Sequence, residues 1–321
     1  MTGPLLRVEN LARHYAPRGM LRAGGPPIRA VDGISFEIGA GETFGLVGES
    51  GCGKSTVGRA VLRLEEPTRG SITFDGRPVL DANGEGLRTL RRQMQMVFQD
   101  PYGSLNPRMP IGRAIAEGIE IHRLAPRSEI PARVAALMAE VGLDPALAGR
   151  YPHQFSGGQR QRIGIARALA VEPRLLVCDE PVSALDVSVQ AQVLNLLADL
   201  QRTRGLAYLF IAHDLAVVRQ LSHRIAVMYF GRIVESGPAE TLIQAPRHPY
   251  TRALLSAVPT AGRTDQIVLT GDPPSPSSVQ PGCPFASRCF HPSRNARCQA
   301  ERPELRPLHG HQVACHHAEE S

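Results

Sequence analysis

Residues 48–56 of the chain read Gly48-Glu49-Ser50-Gly51-Cys52-Gly53-Lys54-Ser55-Thr56. This stretch matches G-x-x-x-x-G-K-S, a loop whose backbone N–H groups surround the phosphates of a nucleotide while the lysine reaches the β and γ oxygens. The apolar run from Thr43 to Val47 predicts a buried strand before the loop, and the segment from Thr56 to Leu64 predicts a helix after it. The stretch therefore predicts binding of ATP or GTP.

Lys54 is the only lysine among the 36 Lys and Arg residues. Because all the remaining residues of this set are arginine, the lysine at position 54 needs a physical reason. A compact ammonium group fits a tight ring of amides, whereas a planar guanidinium does not. The composition therefore favours the phosphate loop over a chance lysine in a glycine-rich turn.

The bulk properties indicate an ordinary globular protein. A length of 321 residues suits one large domain plus a smaller one, and 42% of the residues are hydrophobic. Because no window approaches the roughly 18 apolar residues that span a bilayer, and Met1 to Asn10 lack the features of a secretory signal, we expect a cytosolic chain. The net charge of +6 would suit an anionic partner, but the arginines are spread along the chain and single out no nucleic acid.

Short apolar runs alternate with helical patterns along the chain. A Gly/Pro-rich excursion from Pro17 to Pro27 separates the first two runs, and the pattern from Ile111 to Gly142 predicts a helical insert with a helix start at Pro131. This alternation predicts a largely parallel sheet with helices on both faces. Strands are predicted at Leu5–Glu9, Ile34–Ile38, Thr43–Val47, Ile72–Phe74, Gln95–Phe98, Leu175–Cys178, Ala207–Ile211, Ile225–Met228 and Ile233–Glu235.

Two acids follow the apolar run from Leu175 to Cys178. Asp179 would hold Mg²⁺, usually through water, beside the hydroxyl of Ser55, and Glu180 would polarise an attacking water. Since many strands end in solvated acids, it is the phosphate loop in the same chain that favours a catalytic role.

A second candidate phosphate-binding segment is Phe155-Ser156-Gly157-Gly158-Gln159-Arg160-Gln161-Arg162. Ser156 is a good helix N-cap, and the two glycines leave the first-turn N–H groups open to an anion. The alternative is a capped helix with a flexible start. A second phosphate-binding helix terminus in one chain is explained if it binds the nucleotide of another subunit.

These segments together resemble the ATP-binding cassette (ABC) family. Residues 156–159 resemble its signature, Gln99 its glutamine after the fifth strand, Ser183-Ala184-Leu185-Asp186 its D-loop and His213 its switch histidine. The resemblance implies a P-loop NTPase of ABC type, an α/β fold with a mixed parallel sheet and a helical subdomain at about residues 100–172. It also implies that two such domains close head to tail, with each ATP between the Lys54 loop of one and the Ser156 segment of the other.

The resemblance assigns roles to individual positions. Tyr15 is a candidate for stacking on adenine or for plain packing, and His213 for bridging the γ-phosphate and the water or for an ordinary surface residue. Glu180 and His213 are the catalytic candidates, and Ser55, Gln99 and Asp179 are the Mg²⁺ candidates. Expected to bind ATP are Tyr15, Gly48, Ser50, Gly51, Cys52, Gly53, Lys54, Ser55, Thr56 and Gln99 in the same subunit, and Ser156, Gly157, Gly158, Gln159 and Asp186 across the pair.

Two longer segments narrow the resemblance to the oligopeptide and dipeptide importer ATPases, which include nickel-uptake members. They are Gln99-Asp100-Pro101-Tyr102-Gly103-Ser104-Leu105-Asn106-Pro107 and His248-Pro249-Tyr250-Thr251-Arg252-Ala253-Leu254-Leu255. The narrower resemblance implies a peripheral ATPase at the cytoplasmic face of the cell membrane. Its implied partners are a second ABC ATPase in a heterodimer, two membrane permease subunits and an extracytoplasmic peptide-binding protein.

Other functions stay open at this point. A soluble ABC ATPase acting on nucleic acid or ribosomes would suit the basic charge, but such proteins commonly carry two cassettes or a coiled-coil insertion. The cargo is a di- or oligopeptide, nickel or another small solute. A cassette that mainly binds ATP as a clamp, with hydrolysis in its partner, is a further alternative.

Four cysteines mark the end of the chain, where Cys283, Cys289, Cys298 and Cys315 lie within 33 residues. They could form a Cys₄ site, and their spacing lacks the close thiol pairs typical of zinc ribbons. A [4Fe–4S] cluster, which the resemblance to the importer ATPases also implies, is therefore preferred over zinc and over free or disulfide-linked thiols. Cys178 and Cys52 are expected to be a buried strand residue and a small loop residue. We expect an ATPase domain at residues 1–258, a Pro/Ser-rich linker at 259–282 and a metal-binding extension at 283–321.

Overall fold

A computed structural model of the chain describes residues 3–16, 26–258, 266–271, 275, 278 and 280–320. Residues 17–25 of the predicted Gly/Pro-rich excursion lie outside the described residues. The same holds for residues 259–265, 272–274, 276, 277 and 279 of the predicted linker. Among the described helices, none combines the length and apolar character that crossing a bilayer requires.

The described residues form strands and helices near most of the predicted positions. The strands are β1 (Leu6–Tyr15), β2 (Ile28–Ile38), β3 (Thr43–Val47), β4 (Arg69–Phe74), β5 (Arg77–Pro78), β6 (Met94–Val97), β7 (Leu175–Asp179), β8 (Ala207–Ala212), β9 (Arg224–Tyr229), β10 (Arg232–Pro238), β11 (Arg306–Leu308) and β12 (His311–Val313). The α-helices are α1 (Lys54–Val61), α2 (Gly84–Gln93), α3 (Ile111–Ile121), α4 (Ile130–Glu140), α5 (Gly157–Leu169), α6 (Val187–Arg204), α7 (Leu215–Leu221), α8 (Ala239–Gln244), α9 (Pro249–Ser256) and α10 (Ala296–Ala300).

The chain divides into two compact units, and the first comprises the described residues of Met1–Ile38, Thr43–Leu80 and Ile211–Ser321. Its β3 pairs in parallel with β9, and every residue of β3 is buried, as expected for a strand covered on both faces. The sheet continues through β10 and β12 to β11 by antiparallel pairing. The phosphate loop follows directly at the carboxyl end of β3.

A separate antiparallel sheet, in the order β2-β1-β4-β5, corrects the expectation of a largely parallel sheet for the N-terminal strands. From Ile34 to Ile38, buried and less buried residues alternate along β2, which is the pattern of a strand with only one face against the core. Antiparallel neighbours can be joined by a short loop, whereas parallel neighbours need a long crossover connection. The fold is therefore mixed, as the ABC resemblance implies.

The second unit comprises Gly39–Glu42 and Asp81–Phe210. Its strands β6 and β7 pair in parallel. The predicted insert from Ile111 to Gly142 consists of two helices, α3 and α4. Pro131 lies in the first turn of α4, and Gly142 follows the helix with a φ of 72°, so both boundary predictions are confirmed.

Glu235 joins the C-terminal residues to the sheet of the first unit. Its side chain is fully buried and accepts hydrogen bonds from the N–H groups of Arg247 at 2.8 Å and His248 at 2.9 Å. Its Oε1 also lies 2.9 Å from Nδ1 of His311 on β12, the strand that pairs with β10. A buried carboxylate with several partners is stable only while those partners remain in place.

Replacing Glu235 by alanine should lower the free energy of unfolding by about 3–5 kcal/mol, because it leaves buried donors without their acceptor. Urea unfolding of the purified chain measures the loss. Glu240→Ala, which removes an exposed carboxylate on α8, is the matched control and should change stability by less than about 0.5 kcal/mol. Equal stability of the two variants would contradict the role assigned to Glu235.

His248 gives the stability a defined pH dependence. It caps α9 by accepting the Tyr250 N–H at 3.0 Å, and burial lowers its pKa from 6.5 to about 3. Between these pKa values the unfolded chain binds a proton that the folded chain does not, so stability falls as the pH falls below 6.5. Between about pH 7.5 and about pH 5.5, His248 alone should lower the free energy of unfolding by about 1.4 kcal/mol. His248→Asn keeps a side-chain acceptor but cannot titrate, and its unfolding free energy should lack this component.

Candidate functional site

Lys54 is held inside the phosphate loop by backbone carbonyls. It begins α1, its side chain is 4% exposed, and its Nζ donates hydrogen bonds to Gly48 O at 2.8 Å and Glu49 O at 3.0 Å. The ammonium group is therefore buried at the N-terminus of a helix, where the first N–H groups and the helix dipole favour an anion. The geometry fits the binding of nucleotide phosphates.

Two glycines of the loop lie where a side chain has no room. A Cβ at Gly53, which has a φ of 107°, would lie 1.9 Å from Ala30 O, and one at Gly48 would lie 2.1 Å from Met228 O. Gly53 is required both by its φ and by the close approach, and Gly48 by the close approach alone. Cys52 is buried, and burial raises the pKa of its thiol, so the structure does not make it the reactive thiol that a helix N-terminus could produce.

The acidic end of β7 lies in the second unit. Asp179 is 2% exposed, and Glu180 follows it with a φ of 45°, a left-handed conformation that is rare outside glycine. Gln99 Nε2 donates a hydrogen bond to Glu180 Oε2 at 2.9 Å. The structure thus brings together the two residues that the sequence separates by 81 positions. Cys178 is fully buried, as predicted, and burial raises its pKa to about 12.

Ser156 caps α5, which begins at Gly157. The Ser156 hydroxyl accepts the Gln159 N–H at 3.3 Å, and Gln159 Oε1 accepts the Ser156 N–H at 2.9 Å, so the predicted cap is confirmed as a reciprocal box. A Cβ at Gly158 would lie 2.3 Å from Val189 Cγ1. Ser156, Gly157 and Gln159 are exposed, so this helix terminus is open to a ligand.

Three further candidate residues for the ATP site are exposed or partly buried. Tyr15, at the end of β1, donates its hydroxyl hydrogen to Glu65, and the Arg13 guanidinium lies 4.6 Å from its ring centroid. Stacking on adenine would therefore use the other face of the ring. His213 follows β8 and is exposed, and Asp186 is an exposed residue at the N-terminus of α6.

The four C-terminal cysteines are free thiols. Burial, together with repulsion from the other three thiols, raises the pKa of Cys283 to about 12, and its N–H donates to Cys298 O at 2.8 Å. Within the part of the chain that the structure describes, however, no group of three or more His, Cys, Asp or Glu side chains has an arrangement that could hold a metal ion. The expected Cys₄ metal site is therefore not supported.

An ion pair joins Glu49 of the phosphate loop to the C-terminal extension. Arg288 donates to both carboxylate oxygens of Glu49, at 2.8 and 3.0 Å. In the sequence it lies between Cys283 and Cys289 and directly precedes Cys289. These residues are 239 positions apart, and no local pattern connects them. Only a co-varying pair in a set of related sequences would have indicated the contact.

The glycine-rich loop around Lys54, the acids that end β7 and the capped Gly-Gly helix define a P-loop nucleotide hydrolase. Residues 31–183 match the ABC transporter family, and residues 234–298 match the oligopeptide/dipeptide transporter C-terminal region. The chain therefore belongs to the ABC transporter ATPases that carry the oligopeptide/dipeptide transporter C-terminal region.

Three known proteins illustrate the similarity. The di/tripeptide transport ATP-binding protein DppF of Pseudomonas aeruginosa is 51% identical, and the match covers 98% of each chain. The glutathione import ATP-binding protein GsiA of Pectobacterium atrosepticum is 52% identical over 85% of this chain and 45% of its own. The solved dimer of the ATP-binding cassette MJ0796, in a post-hydrolysis state with ADP and Pi, is 28% identical with a TM-score of 0.65, over 73% of this chain and 98% of its own.

Proposed function

We propose that the chain hydrolyses ATP to drive the import of di- and oligopeptides across the cell membrane. The observation that carries the proposal is the match over 98% of both chains to a di/tripeptide transport ATP-binding protein, together with the matching C-terminal region. The working assembly would contain two membrane permease subunits, an extracytoplasmic peptide-binding protein and a second ABC ATPase. The chain would be a peripheral subunit on the cytoplasmic face.

We assign phosphate binding to the loop residues and to Lys54. The support is a buried ammonium with two carbonyl contacts at a helix N-terminus, in a loop that excludes side chains at Gly48 and Gly53. Tyr15 is the proposed adenine contact. Binding of the other subunit's ATP is assigned to Ser156, Gly157, Gly158, Gln159 and Asp186.

Catalysis is assigned to Glu180 as the base that polarises the attacking water, with His213 contacting the γ-phosphate. The support for Glu180 is its constrained backbone and its hydrogen bond from Gln99, which orients one carboxylate oxygen. Mg²⁺ binding is assigned to Ser55, Gln99 and Asp179, whose hydroxyl, amide and carboxylate oxygens suit this hard cation. When bound there, Mg²⁺ would supply positive charge that offsets the negative charge developing during phosphoryl transfer.

Uptake measurements test the proposed cargo. The chain is assembled with its permease subunits, partner ATPase and binding protein in vesicles, and labelled di-, tri- and oligopeptides and nickel are compared at saturating ATP. We expect ATP-dependent uptake of peptides. Uptake of nickel alone would establish the small-solute alternative, and co-purification with rRNA or DNA without any membrane partner would support the nucleic-acid alternative.

We propose separately that the four C-terminal cysteines bind a metal centre, with a [4Fe–4S] cluster preferred over zinc. The support is the thiol donor set, which suits both, and the proximity of two of its members, since the Cys283 N–H donates to Cys298 O at 2.8 Å. The described side chains do not take up a metal-binding arrangement, so the thiols would have to shift on binding. Anaerobic purification followed by an absorbance spectrum and iron and zinc assays tests this, and a colourless protein without either metal would refute it.

A further inference from the structure

The Cys-rich extension contacts the phosphate loop through a bidentate ion pair. Arg288 ends a short 3₁₀ turn, Ala286–Arg288, and its side chain is only 8% exposed. Its Nη1 and Nη2 donate to the two carboxylate oxygens of Glu49, whose side chain is 30% exposed. Parallel N–H···O bonds from a guanidinium to a carboxylate fix geometry as well as charge.

The turn that carries Arg288 is itself anchored on an aromatic cluster. The Phe285 ring packs against Tyr229 at a centroid distance of 5.3 Å and against Tyr250 at 5.4 Å. Tyr250 also reaches the loop, because its hydroxyl accepts the Glu49 N–H at 2.8 Å. The extension and α9 thus hold Glu49 by its side chain and by its backbone.

Glu49 matters because its backbone and its charge both bear on the phosphates. Its carbonyl oxygen accepts one of the hydrogen bonds of Lys54 Nζ, so its position helps to set the position of the ammonium group. Its carboxylate adds a negative charge to a loop that binds an anion, and an unpaired carboxylate there would repel ATP. Pairing with a buried guanidinium neutralises that charge.

We propose that Arg288 is a positioning residue that strengthens ATP binding by holding and neutralising Glu49 in the phosphate loop. The proposal rests on the phosphate-binding role assigned above to that loop. Because coupling between two sites is reciprocal, bound ATP also stabilises the docked position of the extension. The C-terminal extension is therefore a part of the nucleotide site.

The test is equilibrium binding of ATP to the full chain, together with ATP turnover in the assembled transporter. Arg288→Ala should weaken ATP affinity and raise KM by about tenfold, within the usual range of coupling, while kcat at saturating ATP stays near the wild-type value. Arg288→Gln, which retains polarity but not charge, should show the same loss. Adding Glu49→Gln to either variant should restore most of the affinity, because it removes the charge that Arg288 neutralises.

Arg294→Ala is the matched control. Arg294 Nη1 donates to Ala286 O at 3.1 Å in the same turn and to Cys289 O at 3.2 Å directly after it, whereas the partner of Glu49 is Arg288. An equal loss of affinity in this variant, or no rescue by Glu49→Gln, would show that the turn acts only as a structural support and would overturn the proposal. If Arg288→Gln binds ATP with wild-type affinity while Lys54→Arg loses affinity, the proposal for Arg288 is overturned and the phosphate-binding role of the loop stands. If both variants bind ATP with wild-type affinity, the phosphate-binding role of the loop is overturned as well.

Discussion

Replacing Glu180 by glutamine should lower ATP turnover of the assembled transporter by about a hundredfold or more, the usual contribution of a general base. The amide oxygen of glutamine can still accept the hydrogen bond that Gln99 donates at 2.9 Å, so the local geometry should persist. What the variant loses is the negative charge that attracts a proton from the attacking water. Phosphate release at saturating ATP measures the effect.

The same variant should bind ATP with affinity close to that of the wild type, because the proposed defect lies in the chemical step. Glu172→Gln is the matched control, since Glu172 is a surface carboxylate of the second unit that pairs with Arg92 and Arg133. It should hydrolyse ATP normally. A near wild-type rate for Glu180→Gln would instead assign catalysis to another residue or to the partner ATPase.

Replacing Lys54 by arginine should weaken ATP binding by about a hundredfold, at the upper end of the loss expected when hydrogen bonds to a charged group are removed. The ammonium nitrogen lies within 3.0 Å of two loop carbonyls in a side chain that is 4% exposed. A planar guanidinium is larger and cannot occupy the same position without moving the loop. Titration of the full chain with ATP measures the affinity.

Arg59→Lys provides the matched control for this exchange. Arg59 lies on the same helix, α1, and its side chain is 49% exposed in a contact with Glu65. Exposed ion pairs of this kind contribute little, so the exchange of lysine and arginine there should leave ATP affinity unchanged. If Lys54→Arg also bound ATP with wild-type affinity and supported transport, the single lysine would have no special role in the loop.

Local sequence patterns predicted the parts of the fold that local physics controls. The apolar run from Thr43 to Val47 is β3 with the predicted bounds, because a fully buried strand leaves a continuous hydrophobic signal. Ser156 caps α5 as expected from its side chain and the glycines after it. The phosphate loop likewise needs only its own nine residues to be recognised.

Features that depend on tertiary structure could not be predicted in this way. The left-handed φ of Glu180 is held by the surrounding fold and has no sequence signal in a non-glycine residue. The pairing of β1 with β2 and β4 depends on long-range packing, and the Arg288 contact with Glu49 joins residues 239 positions apart. The spacing of the cysteines predicted a metal site, whereas the described side chains do not form one.

The pairing of β12 with β10 has a consequence for shortened forms of the chain. Val313 and Gln312 lie opposite Glu235 and Ser236, so β12 covers one edge of the strand that carries the buried Glu235. A protease cut that removes β12 would expose that edge, and an uncovered edge strand is a template for pairing with other chains. The shortened product would therefore be prone to aggregate.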